Sequence, residues 1–346
     1  MNWNIDLADI ENTESLDLTQ STFSDALIKS LPKELPRVTA LRLRIGALTD
    51  EGLTEFARRL RNLTMLDMDD SWVTDARLAN FVRYVPKLST ISLIDTQVTD
   101  EGLNNLVEAV PSLTGLSLSY RRVIDISLEK LRASWDAYMR NGLGSYEFRT
   151  TVTDNGVKQI ASRLAELNTL NLYGTAVTDT GLKELGANPK VTTLGLNFTA
   201  VTGAGFSGIA TRLPNLGTLQ LAYSAVTDAG LKNMDPLPNL TTLNLCRTSV
   251  TNNGLKAISK KLPKLASLRL YHTLVTDAGL CELARLSNLT TLDLSITKVT
   301  DAGVNQIVGL LPNLTKIDLS FTKVTDKGLE ELKAEFPKLK VDFFGR

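Results

Sequence analysis

The chain has 346 residues, of which 43% are hydrophobic, so it is long enough to bury a large core. Its 38 Lys and Arg residues balance 38 Asp and Glu residues, which leaves no net charge to attract nucleic acid or anionic lipid. It has only 2 Cys, no run of about 18 apolar residues and no basic, apolar leader, so we expect an intracellular, cytoplasmic protein that binds neither membrane nor nucleic acid.

Segments similar to "TTLDLSITKVTDAGV" (residues 290–304) recur along the whole chain. We take the Asp of each "VTD" as the reference position of its repeat. The reference positions are Asp25, Asp50, Asp75, Asp100, Asp125, Asp154, Asp179, Gly203, Asp228, Asn252, Asp277, Asp301 and Asp326. They are 24 or 25 residues apart, except for a step of 29 from Asp125 to Asp154. A fixed period of this length indicates stacked repeats rather than separate globular domains.

Each repeat has the order strand, turn, helix. Leu292 and Leu294, which precede the reference Asp301, alternate as in a short strand with one buried face. The apolar residues that follow Asp301 have helical spacing: Val304, Ile307, Val308 and Leu311. No repeat can bury both of its apolar faces alone, so the repeats must stack.

The residues around the reference Asp predict how each helix begins. The Thr–Asp pair supplies side-chain oxygens for the first amide groups of the helix, and a carboxylate there suits the helix dipole. The Gly two residues later, Gly303 in this repeat, costs helix stability relative to Ala. We therefore expect this Gly to allow the close approach of a neighbouring backbone.

The segment "LTTLDLSITKVTDAG" resembles a leucine-rich repeat. It is similar to the cysteine-containing subclass of these repeats, which is found in F-box proteins and in bacterial "VTDAGL" proteins. The resemblance covers residues 14–343 and implies a right-handed α/β solenoid, shaped like a horseshoe, with an inner parallel sheet and outer helices. We expect residues 1–346 to form a single domain of about thirteen turns.

One repeat position usually holds Asn or Cys in this family. Here it mostly holds a hydroxyl residue: Ser71, Thr96, Thr175, Thr199, Ser224, Thr248, Thr273, Thr297 and Thr322. The resemblance implies that these hydroxyls bond to the backbone of adjacent turns.

The step of 29 residues predicts an irregular turn near residues 126–150. Ser127 stands where the Gly is expected, and Tyr146 and Phe148 stand where leucines are expected. One interpretation is an insertion tolerated in a longer helix or loop. The other is a loop that presents Trp135 and Tyr138 to a partner.

The residue types for catalysis and metal binding are sparse. His272 is the only His, and Cys281 falls in a first helical turn, across the core from Cys246 and His272, so three zinc ligands cannot converge. Cys246 and His272 fall on neighbouring strands, where they are either a thiol–imidazole pair or an inert Cys beside an ordinary polar His. No phosphate-binding loop or metalloprotease motif occurs. We expect no metal, no cofactor and no enzymatic activity.

Two groups of residues are not dictated by the repeat. In the first, Arg42 and Arg44 occupy the same two columns as Asp67 and Asp69 one strand later, and Asp70 and Asp95 fall close by; we call these six residues the secondary patch. One interpretation is cross-strand ion pairing on a solvated face. The alternative is an acidic site for a basic partner or a cation.

The second group runs along consecutive turns: Tyr173, Phe198, Tyr223, Arg247, Tyr271 and His272, interleaved with Asn171, Asn197, Gln220, Asn244 and Arg269. Aromatic and Arg residues in an exposed row resemble the residues that dominate protein interfaces. The alternative is that the rings only cover the edge of the sheet.

These observations predict a non-enzymatic scaffold that binds a protein or peptide on its concave sheet through Tyr173, Phe198, Tyr223, Arg247, Arg269, Tyr271 and His272. The F-box resemblance suggests the alternative of a substrate-recognition module of a ubiquitin-ligase adaptor or effector, although residues 16–38 already fit the repeat register and leave no room for an F-box. A further alternative is an enzyme, or an enzyme-activating repeat protein, that uses Arg247 or Cys246.

Overall fold

The computed structural model describes residues 7–19, 23–45, 48–118 and 152–345. Within these ranges thirteen strands form one sheet, in which each strand is parallel to its neighbour and the strands follow chain order. The strands are β1 (Ser15–Leu18), β2 (Ala40–Leu43), β3 (Met65–Asp67), β4 (Thr90–Ser92), β5 (Gly115–Ser117), β6 (Thr169–Asn171), β7 (Thr193–Gly195), β8 (Thr218–Gln220), β9 (Thr242–Asn244), β10 (Ser267–Arg269), β11 (Thr291–Asp293), β12 (Lys316–Asp318) and β13 (Lys340–Asp342).

Helices alternate with these strands, as the change of apolar period predicts. The α-helices of the described ranges are Asp25–Ser30, Asp50–Arg59, Asp75–Val82, Asp100–Ala109, Asp154–Arg163, Asp179–Glu184, Ile209–Arg212, Asp228–Asn233, Asn252–Lys261, Asp277–Leu280, Asp301–Leu310 and Asp326–Glu335. The 3-10 helices of the described ranges are Leu7–Asn12, Ala204–Phe206 and Cys281–Arg285. No helix in the part of the chain described here has the length and apolar character that crossing a membrane requires.

The core lies between the sheet and the helices. Leu292 of β11 pairs in register with Leu268 of β10 and with Ile317 of β12, and all three are fully buried. Val304 and Ile307 of the following helix are buried against the same core. Each such side chain contributes roughly 1.5–3 kcal/mol when fully buried, so the leucine columns supply most of the cohesion between turns.

A pair of hydrogen bonds, which we term a rung, joins the reference Asp to the next turn in seven of the described repeats. The backbone N–H of Thr300 donates to Oδ1 of Asp277 over 2.8 Å, and its hydroxyl donates to Oδ2 over 2.6 Å. The same two bonds join Asp25 to Thr49, Asp75 to Thr99, Asp100 to Thr153, Asp154 to Thr178, Asp228 to Thr251 and Asp301 to Thr325. The prediction that the Asp caps its own helix is therefore wrong for these carboxylates. The Thr does cap, as where Thr325 accepts from the N–H of Gly328.

The Gly of the repeat makes room for the rung. A Cβ on Gly303 would overlap with the carboxylate of Asp277 in the preceding turn. Gly52, Gly102, Gly156, Gly181, Gly254, Gly279 and Gly328 lie in the same way against the reference side chain of the turn before. The prediction that this Gly allows the close approach of a neighbouring backbone is therefore wrong in these turns, where the Gly makes room for a side chain. It is correct for Gly205, which lies against the carbonyl of Asp179, and for Gly230, which lies against the carbonyl of Thr202 because Gly203 replaces the Asp.

The hydroxyl column bonds within its own turn. The hydroxyl of Thr297 donates to the carbonyl of Leu294 over 2.6 Å, and Thr96, Thr175, Thr199, Ser224, Thr248, Thr273 and Thr322 make the equivalent bond. Bonding to adjacent turns, which the family resemblance implies, is found at Ser71, whose hydroxyl donates to the carbonyl of Leu43. Where a rung is present, its hydrogen bonds, rather than those of the hydroxyl column, link one turn to the next.

The repeat changes its step after β5. Strand β5 pairs directly with β6, and the rung of Asp100 reaches Thr153, 53 residues further along the chain. The reference positions Asp125 and Asp154 predict two successive turns, each with its own strand. The direct pairing of β5 with β6 does not match this prediction. The predicted Tyr146 and Phe148 strand residues, and the loop residues Trp135 and Tyr138, lie outside the described residues. The thirteenth strand of the sheet is β13, which follows the last reference, Asp326.

A Gly→Ala pair in the helix Asp301–Leu310 tests the rung. Gly303→Ala should lower the free energy of unfolding by about 1–3 kcal/mol, because the new methyl group displaces the Asp277 carboxylate. Gly309→Ala, whose Cβ would meet nothing closer than Cζ of Phe336 at 3.9 Å, should be neutral or stabilising by up to about 1 kcal/mol. Urea unfolding followed by circular dichroism measures both. Equal effects of the two substitutions would show that the Gly303 position is not constrained by the rung.

Candidate functional site

In the described turns from Asp70 onward, the residue five positions before the reference adopts the left-handed backbone conformation. We call these residues the left-handed column: Asp70, Asp95, Gly174, Phe198, Tyr223, Arg247, His272, Ile296 and Phe321, with φ between 52° and 66°. This conformation costs a non-Gly residue about 1–2 kcal/mol. Gly174 is the one glycine of the column among the described turns. The sequence predicts the exposure of this column but not its conformation, for which Gly174 is the only signal in the described turns.

The predicted aromatic row forms one continuous stack. The rings of Phe198 and Tyr223 lie 4.1 Å apart between centroids, with 12° between their planes. Tyr173 packs on the other face of Phe198 with its centroid at 4.8 Å. Arg247 continues the stack beyond Tyr223, with its guanidinium carbon 5.5 Å from the centre of that ring. Each turn therefore contributes one planar group to the same stack.

Arg247 lies between two tyrosines. Its guanidinium carbon is 5.4 Å from the ring centre of Tyr271, and its Nη2 donates to the Tyr271 hydroxyl over 3.3 Å. His272 lies beside Tyr271 with ring centroids 6.0 Å apart. The structure thus brings together Tyr173, Phe198, Tyr223, Arg247, Tyr271 and His272, which we call the aromatic row. It does not bring Arg269 into the stack, because this side chain pairs with Asp293 at 3.4 Å.

The aromatic row lies along the rim of the sheet where the strands end. Its members follow their strands by two or three residues, and all six are half-buried. The faces of Phe198 and Tyr223 cover one another, so this pair directs ring edges rather than faces toward solvent. The row is therefore a pre-formed ridge at the rim, not a set of separate side chains on the concave face.

The amides beside the row support its backbone. Oδ1 of Asn171 accepts from the N–H of Tyr173, and Oδ1 of Asn244 accepts from the N–H of Cys246. Nδ2 of Asn244 also donates to Oε1 of Gln220 over 2.9 Å. In the next column, Oδ1 of Asn197 accepts from the N–H of Ala222. The bonds from Asn244 to Gln220 and from Ala222 to Asn197 join successive turns, which gives the row a rigid base.

The surroundings of Cys246 and His272 oppose a reactive thiol–imidazole pair. Burial raises the pKa of the Cys246 thiol to about 11. Burial, together with the charge of Arg247, lowers the pKa of His272. Both shifts disfavour the thiolate–imidazolium pair that a nucleophilic Cys requires. In the ranges that the structure covers, no three His, Cys, Asp or Glu side chains are placed to hold a metal ion.

The secondary patch consists largely of ion pairs and hydrogen bonds between strands. Nε of Arg42 lies 3.0 Å from Oδ2 of Asp67, and Nη2 of Arg44 lies 3.1 Å from Oδ2 of Asp70. Asp69, which shares its column with Arg44, instead accepts from the hydroxyl of Ser92 and the N–H of Ile94.

Ion pairs as exposed as those of the secondary patch contribute about 0–1 kcal/mol each. Asp95, the sixth residue of the patch, belongs to the left-handed column. The geometry supports the interpretation of cross-strand pairing for the two arginines. The patch as a binding site stays a prediction.

Comparisons with known proteins agree with this architecture. The sequence profile of the Zer-1-like leucine-rich repeats matches residues 231–342. The comparison with curated proteins gives no match. An internalin of Listeria monocytogenes is 19% identical, with a TM-score of 0.60 over 98% of this chain and 89% of that chain. A chain of the yeast Rad7 and Elc1 complex is 16% identical, with a TM-score of 0.60 over 98% of this chain and 84% of that chain.

The fold is therefore a leucine-rich-repeat solenoid, as the repeat predicts. The profile supports leucine-rich repeats as such. Membership of the cysteine-containing subclass, or of the F-box or "VTDAGL" groups, stays a prediction.

Thiol labelling tests the assignment of Cys246 as an inert residue. At pH 8 iodoacetamide should modify the exposed Cys281 quickly and Cys246 at least about 100-fold more slowly, because the thiolate is the reactive form and burial suppresses it. Intact mass spectrometry of the Cys281→Ser and Cys246→Ser variants separates the two rates. Labelling of Cys246 at the rate of Cys281 would restore the thiol–imidazole interpretation.

Proposed function

We propose that the chain is a non-enzymatic scaffold that binds a protein or peptide partner along the rim of its parallel sheet. The observation that carries this proposal is the continuous stack from Tyr173 to Tyr271, in which Arg247 lies between two tyrosine rings. Tyr and Arg are among the residue types that carry most of the binding energy at protein interfaces. A half-buried row of Tyr and Arg side chains at the rim of the sheet supports a protein-binding role for this rim.

The geometry of the aromatic row favours binding of an extended partner. The row crosses five adjacent turns, and strands in a sheet lie about 4.8 Å apart, so its two ends are about 20 Å apart. Stacking holds each side chain in place before a partner arrives, which reduces the side-chain entropy lost on binding. Arg269, outside the stack and half exposed beside Asp293, is positioned to form a polar border to the row.

The comparisons support a protein partner only at the level of the fold. The yeast structure contains Rad7 in a complex with Elc1, so a chain of this architecture occurs in a protein assembly. At 16% identity this likeness concerns the fold and gives no residue of this chain a role. A ubiquitin-ligase adaptor role therefore remains the alternative.

Both cysteines are free thiols, which supports the proposed intracellular, cytoplasmic location.

A pair of double variants tests the aromatic row as the binding site. Tyr223→Ala with Tyr271→Ala should weaken the partner about thirtyfold or more, since an aromatic anchor contributes about 2 kcal/mol or more. Lys256→Ala with Glu282→Ala, on the helical side, should leave binding unchanged. The intact chain and both variants serve as bait, bound proteins are compared by mass spectrometry, and the partner recovered is then titrated.

Thermal unfolding of the same variants provides the control for folding. The tyrosine variant should melt within a few degrees of the parent, because neither ring belongs to the leucine core. If the helix-side variant loses the partner and the tyrosine variant keeps it, the assignment to the rim is wrong. If the tyrosine variant unfolds, the rings belong to the core of the fold.

A further inference from the structure

The left-handed column continues beyond the aromatic row with large apolar side chains. Ile296 has φ 54° and Phe321 has φ 56°. A β-branched residue such as Ile296 is especially unusual in this conformation, and Gly would adopt it without strain. Within the aromatic row, stacking offsets this strain. In the described part of the chain the ring contacts of the column end at His272, so stacking does not account for Ile296 and Phe321.

Phe321 belongs to an exposed apolar strip, and the half-buried Ile296 adjoins it in the preceding turn. Phe321 is 47% exposed and Phe344, in the next turn, is 69% exposed. The N–H of Phe321 donates to the carbonyl of Phe344, and the N–H of Phe344 donates to the hydroxyl of Ser320, which fixes the two residues side by side. We call Ile296, Phe321 and Phe344 the apolar rim. It continues the aromatic row without a gap over the last three strands, β11 to β13.

Two lysines border the apolar rim at equivalent positions of successive turns. Lys298 follows Ile296 by two residues and Lys323 follows Phe321 by two residues, and both side chains are exposed. The residues on either side of Lys298, Thr297 and Val299, are buried, so Lys298 points outward at this edge. Neither lysine takes part in a salt bridge within the ranges that the structure describes.

Three carboxylates at the ends of β11 to β13 are already engaged. Asp293 accepts from the N–H and hydroxyl of Ser295 and pairs with Arg269. Asp318 accepts from the N–H of Ser320, and Asp342 pairs with Lys316 at 2.8 Å. Lys298 and Lys323 place positive charge beside the apolar rim, and Asp326 lines the same surface concavity as Lys323.

We infer that the apolar rim, with Lys298 and Lys323, anchors an extended acidic segment of a protein partner. The Asp or Glu side chains of the segment face the two lysines, and its apolar side chains contact Phe321 and Phe344. The three turns of the apolar rim span about 10 Å, the length of about three extended residues, so a short motif is sufficient. This inference rests on the proposed function and adds the chemical class of the partner.

A displayed library of random 12-residue peptides, selected on the immobilised intact chain, tests this inference. Enriched peptides should combine at least two Asp or Glu residues with apolar residues, and their binding should weaken as salt is raised. Lys298→Glu with Lys323→Glu should reduce their affinity at least tenfold. The matched control, Lys256→Glu with Lys260→Glu on the exposed side of a helix, makes the same change in net charge and should leave affinity unchanged.

Asn substitutions separate binding from folding, because Asn adopts the left-handed conformation more readily than Phe or Ile. Phe321→Asn and Ile296→Asn should each leave the melting temperature unchanged or higher, while each lowers the affinity for the enriched peptides at least tenfold. A loss of folding in both variants would show that these side chains belong to the core and would overturn the inference.

The outcomes distinguish this inference from the proposed function. Enriched peptides that are basic or uncharged, or that tolerate Lys298→Glu with Lys323→Glu but are lost on Tyr223→Ala with Tyr271→Ala, would overturn the acidic partner and keep the proposed function. A selection that enriches nothing, or only peptides insensitive to both pairs of substitutions, would overturn both.

Discussion

The rest of the structure depends on the rung between a reference Asp and the Thr of the next turn, which recurs along the described part of the chain. In a solenoid each turn contacts only its neighbours, and leucine contacts are not directional, so they hold turns together without fixing their offset. The two bonds from Thr49 to Asp25 are directional, and they lower the pKa of the Asp25 carboxyl. Gly52 leaves the space that this carboxylate occupies. The three residue types of the repeated motif therefore act as one unit shared between two turns.

The rung has a consequence at the rim. Because successive turns start their helices at the same offset, the residues five positions before the reference fall into one line. Phe198 and Tyr223 stack at 4.1 Å although they lie on different turns. Between these two turns Gly203 replaces the reference Asp, and the N–H of Thr227 donates to the carbonyl of Thr202 instead. The repeat fixes the position and conformation of the left-handed column, and only the identity of each side chain varies. Large side chains occupy a conformation that favours Gly, which is why we propose the rim, rather than the face of the sheet, as the binding surface.

The sequence predicts the order of elements and the core well, because the alternation of Leu292 and Leu294 and the helical spacing after Asp301 follow from burial alone. The Arg42–Asp67 pair was also predictable, since the two residues share a column on adjacent strands. The rung was not, because a helix cap explains Thr and Asp equally well from local sequence. The left-handed column was missed because, in the described turns, Gly174 is its only glycine. The direct pairing of β5 with β6 was not predictable, because Asp125 fits the period and indicates a regular repeat at that point.

A double-mutant cycle between Asp25 and Gly52 tests the rung most directly. The atoms nearest to a Cβ on Gly52 are Oδ1 and Cγ of Asp25, both of which Asp25→Ala removes. Gly52→Ala should therefore destabilise the parent by about 1–3 kcal/mol but the Asp25→Ala variant by less than about 0.5 kcal/mol. A coupling free energy of about 1 kcal/mol or more would confirm that the two residues act as one unit. Additive effects of the two substitutions would contradict it.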